Sequence, residues 1–119
     1  MLIFVKGDYL RLIESGQKTT TIRPWRRCKL VPGGTLSFNG RVVVTLTRVE
    51  HRHLADLTDA DARADGFASR AAFVRAFCGH YPAIDARDRA TKVWVLHFKS
   101  PSRSDQRARA GATSAAGPA

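Results

Sequence analysis

Short β-strand patterns, separated by turns and by very short helices, limit this chain to a small set of folds. Runs of β-branched and apolar residues predict five strands, at Leu2–Lys6, Thr19–Arg23, Thr35–Phe38, Arg41–Glu50 and Lys92–Lys99. No regular helices of about 10–15 residues separate these strands, which argues against a doubly wound parallel sheet. We therefore predict an α+β domain built on a small curved sheet or barrel.

Local sequence signals place three short helices and one hairpin among these strands. Residues 8–15 have apolar side chains at helical spacing. A capping-box sequence at Thr58 begins a second helix, which Gly66 should end. Ser69 can cap a third helix that continues through residue 78. Asn39-Gly40 is the strongest hairpin signal of the chain.

The chain of 119 residues predicts one domain, over residues 1–99, followed by a tail. The tail, residues 100–119, contains no valine, isoleucine, leucine or aromatic residue. Such a segment cannot bury enough apolar surface to offset its ordering entropy, so we predict that it is disordered.

The formal net charge of the chain is +10. The tail carries +2 of it, from three arginines and one aspartate, which leaves +8 on residues 1–99. A charge of this size favours a polyanionic partner such as single-stranded RNA. The alternative is a basic protein from an arginine-rich proteome that has no such partner.

Sequence features also predict where the protein works. No apolar run approaches the roughly 20 residues of a membrane span, and the N-terminus has no basic start or small-residue cleavage site. Cys28 and Cys78 are far apart and fit free thiols in a reducing compartment. We expect a cytoplasmic monomer that does not bind membranes.

Residues 16–23 place a glycine, two cations and three threonines in one short segment. In a regular strand, Thr21 and Arg23 share a face that excludes Lys18. Lys18, however, lies at the turn after Gly16, so its long stem can fold back towards Thr21. An amine beside a hydroxyl is the arrangement of an activated nucleophile. The alternative is a solvated lysine beside ordinary strand threonines.

Asp65 is the second candidate, because it lies at the predicted end of a helix, just before Gly66. The negative end of the helix dipole disfavours a carboxylate there. An acid that resists ionisation is suited to donate a proton. The alternative is an exposed aspartate paired with one of the many arginines.

Trp25 lies among basic residues that include Arg23 and Arg26, a pattern typical of a nucleic-acid surface. Tyr81 is a further ring on which a base could stack. The alternative for Trp25 is a side chain that caps the core beside a solvated basic loop. The histidines and cysteines lack the spacing of metal ligands, and we expect neither a metal nor another cofactor.

These segments together resemble the ASCH domains, small β-barrels related to the PUA fold. The pattern Gly16-x-Lys18-x-x-Thr21-x-Arg23 resembles the family signature, and 57–82 resembles its second block. The resemblance implies a PUA-like barrel of about five to six strands with two or three short helices. It covers nearly all of residues 2–99.

The resemblance also implies a reaction. Some small bacterial members of the family are amidohydrolases that remove the acetyl group from N4-acetylcytidine, and their catalytic lysine and threonine correspond to Lys18 and Thr21. Their catalytic glutamate corresponds to Asp65, which is one methylene shorter. Thr19 and Thr20 have no counterpart role and are interpreted as ordinary strand residues. Other members bind RNA or have been assigned ribonuclease activity, so a non-catalytic RNA-binding module and a metal-independent ribonuclease are the alternatives.

Overall fold

Five strands form one mixed sheet in the computed structural model, which describes residues 1–99. The strands are β1 (Leu2–Ile3), β2 (Thr20–Arg23), β3 (Thr35–Phe38), β4 (Val42–His53) and β5 (Lys92–Lys99). Their order across the sheet is β1-β3-β4-β5-β2. The β1–β3 pair is parallel and the other three pairs are antiparallel. The predicted tail, 100–119, lies outside the described residues.

Three α-helices flank this sheet, so the predicted α+β class is confirmed. They are α1 (Gly7–Ser15), α2 (Asp59–Ala64) and α3 (Arg70–His80). One turn of 3-10 helix, Leu54–Asp56, lies between β4 and α2 and was not predicted from the sequence. Within residues 1–99, no helix has the length and apolar character needed to span a bilayer.

The described sheet is open and does not close into the barrel that the resemblance implied. β1 and β2 are its two edges. The first strand ends at Ile3 instead of residue 6, because the amide and carbonyl of Val5 bond the side chain of Asn39. Beside β2, the amide of Thr19 donates to the carbonyl of Ala64. The residue just before β2 is therefore bonded to the end of α2.

Both faces of strand β5 carry buried side chains. Leu96 and Phe98 pack into a first core, whereas Val93 and Val95 pack into a second core on the other face. Strand alternation produces this division, and burial on both faces explains the continuous apolar sequence of β5. Helix α1 covers the first core, while α2 and α3 cover the second.

The short connection between α1 and β2 is fixed at both ends by backbone hydrogen bonds. Gly16 ends α1 in the left-handed region, at φ 85°, as the sequence predicted. The amide of Lys18 then donates to the carbonyl of Leu12, and the amide of Thr19 donates to that of Ala64. The connection is therefore held against the C-terminal ends of both α1 and α2.

Gly66 ends α2 in a Schellman motif. Its amide donates to the carbonyl of Arg63, and the amide of Phe67 donates to that of Ala62. Gly66 has φ 93°, and a Cβ atom there would lie 3.0 Å from Leu12 Cδ1 and 3.5 Å from Lys18 Cβ. The glycine thus allows the end of α2 to approach the α1–β2 connection closely.

We expect Gly66→Ala to lower the free energy of unfolding by more than Gly33→Ala does. Both glycines have positive φ, which costs a residue with a Cβ atom about 1–2 kcal/mol. Only the methyl at 66 meets neighbouring side chains, because a Cβ at Gly33 has nothing within 4 Å. Urea denaturation of both variants measures the difference, and equal losses would contradict a packing role for Gly66.

Candidate active site

A cavity of about 480 Å³ opens beside β2. Its lining includes five of the residues singled out from the sequence, namely Lys18, Thr21, Arg23, Asp65 and Tyr81. These residues come from the α1–β2 connection, β2, the end of α2 and the end of α3. The fold therefore brings side chains that are up to 63 positions apart in the sequence, from 18 to 81, into one pocket.

The Lys18–Asp65 pair lies at the buried end of this pocket. Lys18 Nζ is 2.6 Å from Asp65 Oδ1, and each residue is only 4% exposed. Lys18 Nζ also donates to the backbone carbonyl of Asp65, at 3.0 Å. Asp65 directly follows the last residue of α2, so the ammonium group also lies at the negative end of that helix. A cation there offsets the unfavourable position that the sequence indicated for this carboxylate.

Burial shifts both members of the pair away from their charged forms. Desolvation raises the pKa of Asp65, while the charge and hydrogen bond of Lys18 act in the opposite direction. Desolvation likewise lowers the pKa of Lys18, against the attraction of Asp65. The preference of the shared proton for lysine is therefore weaker than in water, which favours proton transfer within the pair.

Thr20 bonds the same carboxylate and was missed by the sequence analysis, which interpreted it as an ordinary strand residue. Its hydroxyl donates to Asp65 Oδ1 at 3.2 Å, and the residue is 1% exposed. Strand alternation directs Thr20 to the side opposite Thr21. The sequence signal was that Thr20 shares its face of the strand with an apolar residue. A hydroxyl buried on such a face needs a hydrogen-bond partner.

Thr21 and Arg23 lie on the same face of β2, as the strand pattern predicts. Arg23 Nε donates to Thr21 Oγ1 at 3.0 Å. This bond fixes the hydroxyl oxygen of a residue that is 2% exposed. In residues 1–99, the hydrogen bonds of Lys18 Nζ go to Asp65 and none joins it to Thr21. The two side chains share the pocket without a direct bond in this state.

Aromatic side chains form one wall of the pocket, which we call the aromatic wall: Tyr9, Phe67, Phe73, Phe77 and Tyr81. Neighbouring rings contact each other at centroid distances of 4.9–5.8 Å, so the wall is continuous. Lys18 Nζ lies 5.8 Å from the Tyr9 ring centroid. Tyr9, Phe67 and Tyr81 are half-buried, so their rings can contact a flat ligand, whereas Phe73 and Phe77 are buried in the second core.

Trp25 and Arg26 are outside the pocket lining. Trp25 is half-buried and packs against the first core, while Arg26 is exposed. Their assignment to RNA binding stays a prediction. In the part of the chain that the structure describes, no three His, Cys, Asp or Glu side chains are grouped as metal ligands.

Solved structures share this fold. The ASCH domain from Lactobacillus crispatus matches with a TM-score of 0.64 at 16% identity, covering 82% of this chain and 77% of that chain. Hypothetical protein PH0355 matches with a TM-score of 0.66 at 17% identity, covering 82% of this chain and 95% of that chain. Protein EF3133 from Enterococcus faecalis matches with a TM-score of 0.59 at 16% identity, with coverages of 82% and 77%.

No protein-family model and no curated protein matches the chain. At identities of 16–17%, the structural matches show a shared fold, so the chain has the fold of an ASCH domain.

A double-mutant cycle should reveal strong coupling between Lys18 and Asp65. Removing one partner of a buried ion pair costs about 3–5 kcal/mol, because the other charge stays buried and unpaired. Lys18→Met with Asp65→Asn removes both charges, so the double variant should lose less free energy of unfolding than the two single variants together. Urea denaturation measures all three.

The exposed Arg87–Asp85 pair is the matched control for this cycle. Arg87→Met and Asp85→Asn should show no measurable coupling, since solvent screens such a pair. Additive losses at Lys18 and Asp65 would contradict the buried ion pair.

Proposed function

We propose that this protein, with its ASCH-type fold, is an amidohydrolase that removes the acyl group from a modified nucleoside such as N4-acetylcytidine. The observation that carries the proposal is the buried Lys18–Asp65 pair, which shares one pocket with the hydroxyl of Thr21. A nucleophile, a base and an acid in one desolvated cavity are the components that acyl transfer requires.

Attack on the amide carbonyl begins at Thr21. Lys18, as the neutral amine, takes the hydroxyl proton while Thr21 Oγ1 bonds the acyl carbon. Catalytic hydrogen bonds are often absent or long in ligand-free proteins and form once substrate binds. The four-carbon stem of Lys18 gives Nζ the freedom to turn from the Asp65 carbonyl towards Thr21.

Collapse of the tetrahedral intermediate requires a proton on the departing amine. Asp65 in its protonated form donates that proton as the carbon–nitrogen bond breaks, leaving the acyl group as an ester of Thr21. The ammonium of Lys18 then returns a proton to Asp65 across their 2.6 Å contact. Water hydrolyses the ester with Lys18 as base, which releases the carboxylic acid and restores Thr21.

The rest of the pocket suits a nucleobase amide. The aromatic wall offers rings on which a pyrimidine can stack, and Arg23 presents donors beside the attacking oxygen. Those donors can stabilise the oxyanion that develops on the acyl oxygen. Tyr81 and Arg23 are therefore assigned to substrate binding.

Pure protein incubated with N4-acetylcytidine should release cytidine, detected by chromatography. Thr21→Ala and Lys18→Met should each lower kcat by at least about 100-fold, the scale of a lost acid–base or nucleophilic group. Thr45→Ala, at an exposed threonine of β4, is the control and should keep the wild-type rate. No cytidine from the wild type, even at high enzyme concentration, would refute the proposal.

The pH dependence of kcat/KM should be bell-shaped. At low pH the pair holds two protons, so Lys18 cannot accept the proton of Thr21. At high pH the pair holds none, so Asp65 cannot protonate the leaving amine. Burial raises the pKa of Asp65 and lowers that of Lys18, so the active range should be narrower than the ordinary values of about 3.9 and 10.4 imply. A rate independent of pH across that range would contradict this assignment.

A non-catalytic RNA-binding module is the second candidate, and the charge of the domain favours it. Arg26 and Arg27 are exposed on the loop that leaves β2, and the domain as a whole carries +8. Binding through several phosphates would weaken steeply as salt rises. Tight, salt-sensitive binding of single-stranded RNA without nucleoside turnover would favour this function, and shortening of the RNA in chelator would indicate a metal-independent ribonuclease.

A further inference from the structure

The two oxygens of the Asp65 carboxylate have different surroundings. Lys18 Nζ and the hydroxyl of Thr20 both donate to Oδ1, at 2.6 and 3.2 Å. Within residues 1–99, Oδ2 accepts no hydrogen bond, and Asp65 is part of the pocket lining. Oδ1 is therefore the oxygen held by the protein, and Oδ2 is the one left for a ligand.

Thr20 bonds the carboxylate from a fully buried position. It is 1% exposed and is not part of the pocket lining, whereas the next residue, Thr21, is. Ile22, on the same face of β2 as Thr20, does line the pocket, so the burial of Thr20 and not its strand face keeps it from the lining. A substrate in the pocket can contact Thr21 and Asp65 but cannot reach Thr20.

We propose that Thr20 is a positioning residue, whose hydroxyl holds Oδ1 of Asp65 beside Lys18 Nζ, so that the oxygen that exchanges a proton with Lys18 keeps one orientation. The hydrogen bond from Thr20 to the carboxylate is a feature of the structure. Its effect on catalysis rests on the proposed amidohydrolase function. No feature of the sequence pattern shared with the ASCH domains assigns a role to this position.

A second donor on Oδ1 matters because the last torsion of an aspartate is soft. Rotation about that torsion exchanges the two oxygens, and it has no narrow staggered minimum. Lys18 alone can follow such a rotation, since its stem is long and flexible. Thr20 cannot, because its β-branched side chain has few χ1 rotamers and β2 fixes its backbone. The carboxylate is thereby held in one orientation.

The same bond affects the titration of Asp65. A donated hydrogen bond stabilises the ionised carboxylate, so Thr20 acts to lower the pKa of Asp65 against the effect of burial. The charged groups that face Asp65 are Lys18 and Arg23, and both act in the same direction as Thr20. Removal of the hydroxyl should therefore raise the pKa of this carboxyl further.

Thr20→Val and Thr20→Ser are the matched variants that test the proposal. Valine keeps the shape of threonine and removes the hydroxyl, while serine keeps the hydroxyl. We expect the pKa of the Asp65 carboxyl, followed by carbon-13 NMR, to shift upward in Thr20→Val and to stay near the wild-type value in Thr20→Ser. For N4-acetylcytidine, kcat should fall about 10- to 100-fold in Thr20→Val, the scale of a small misplacement of a reacting group.

The outcomes separate this inference from the proposed function. An unchanged Asp65 titration in folded Thr20→Val would overturn the inference, whether or not the protein hydrolyses the nucleoside. Equal loss of activity in Thr20→Val and Thr20→Ser would also overturn it, because it would show a role in packing only. An inactive wild type with the expected NMR shift would refute the amidohydrolase function and leave the hold of Thr20 on Asp65 established.

Discussion

The buried ion pair between Lys18 and Asp65 joins the parts of this molecule that form its pocket. It connects the α1–β2 turn to the end of α2, residues that are 47 positions apart. Desolvation of two charges is costly, and the surroundings repay it through the Asp65 carbonyl, the Thr20 hydroxyl and the end of the α2 dipole. Gly66, which ends α2, permits this approach, because a Cβ atom there would lie 3.5 Å from Lys18 Cβ.

The properties that make the pair costly also make it chemically useful. In water, lysine holds a proton so much more strongly than aspartate that transfer of a proton from the ammonium to the carboxylate is unfavourable. Burial reduces that difference, and a contact of 2.6 Å gives the proton a short path. Thr21 lies in the same pocket, and the proposed mechanism uses the shared proton for this nucleophile and then for the leaving group.

The sequence predicted those features that depend on neighbouring residues. Gly16, the Asn39-Gly40 hairpin and the Thr58 capping box follow local conformational rules, and the structure contains all three. Other features depend on contacts between distant segments. β1 is short because the side chain of Asn39 bonds the backbone of Val5, and the residue before β2 is bonded to the distant end of α2.

The residues of the candidate site also fall into two groups: those that a local pattern indicates and those that depend on contacts between distant segments. A motif indicated Lys18, Thr21 and Asp65, and the fold places all three in one pocket. Thr20 was not predicted because its role arises only when the fold brings Asp65, 45 positions away, within hydrogen-bond distance of its hydroxyl. Strand alternation predicts the face of β2 on which Thr20 lies. A single sequence does not show which distant residue contacts that face.

Mass spectrometry of the protein quenched during turnover of N4-acetylcytidine tests the central claim most directly. If Thr21 is the nucleophile and the Lys18–Asp65 pair moves its proton, peptides that contain Thr21 should carry one acetyl group, and Thr21→Ala should abolish this label. Release of cytidine with no acetylated Thr21, or with the acetyl group on Lys18 instead, would contradict the account.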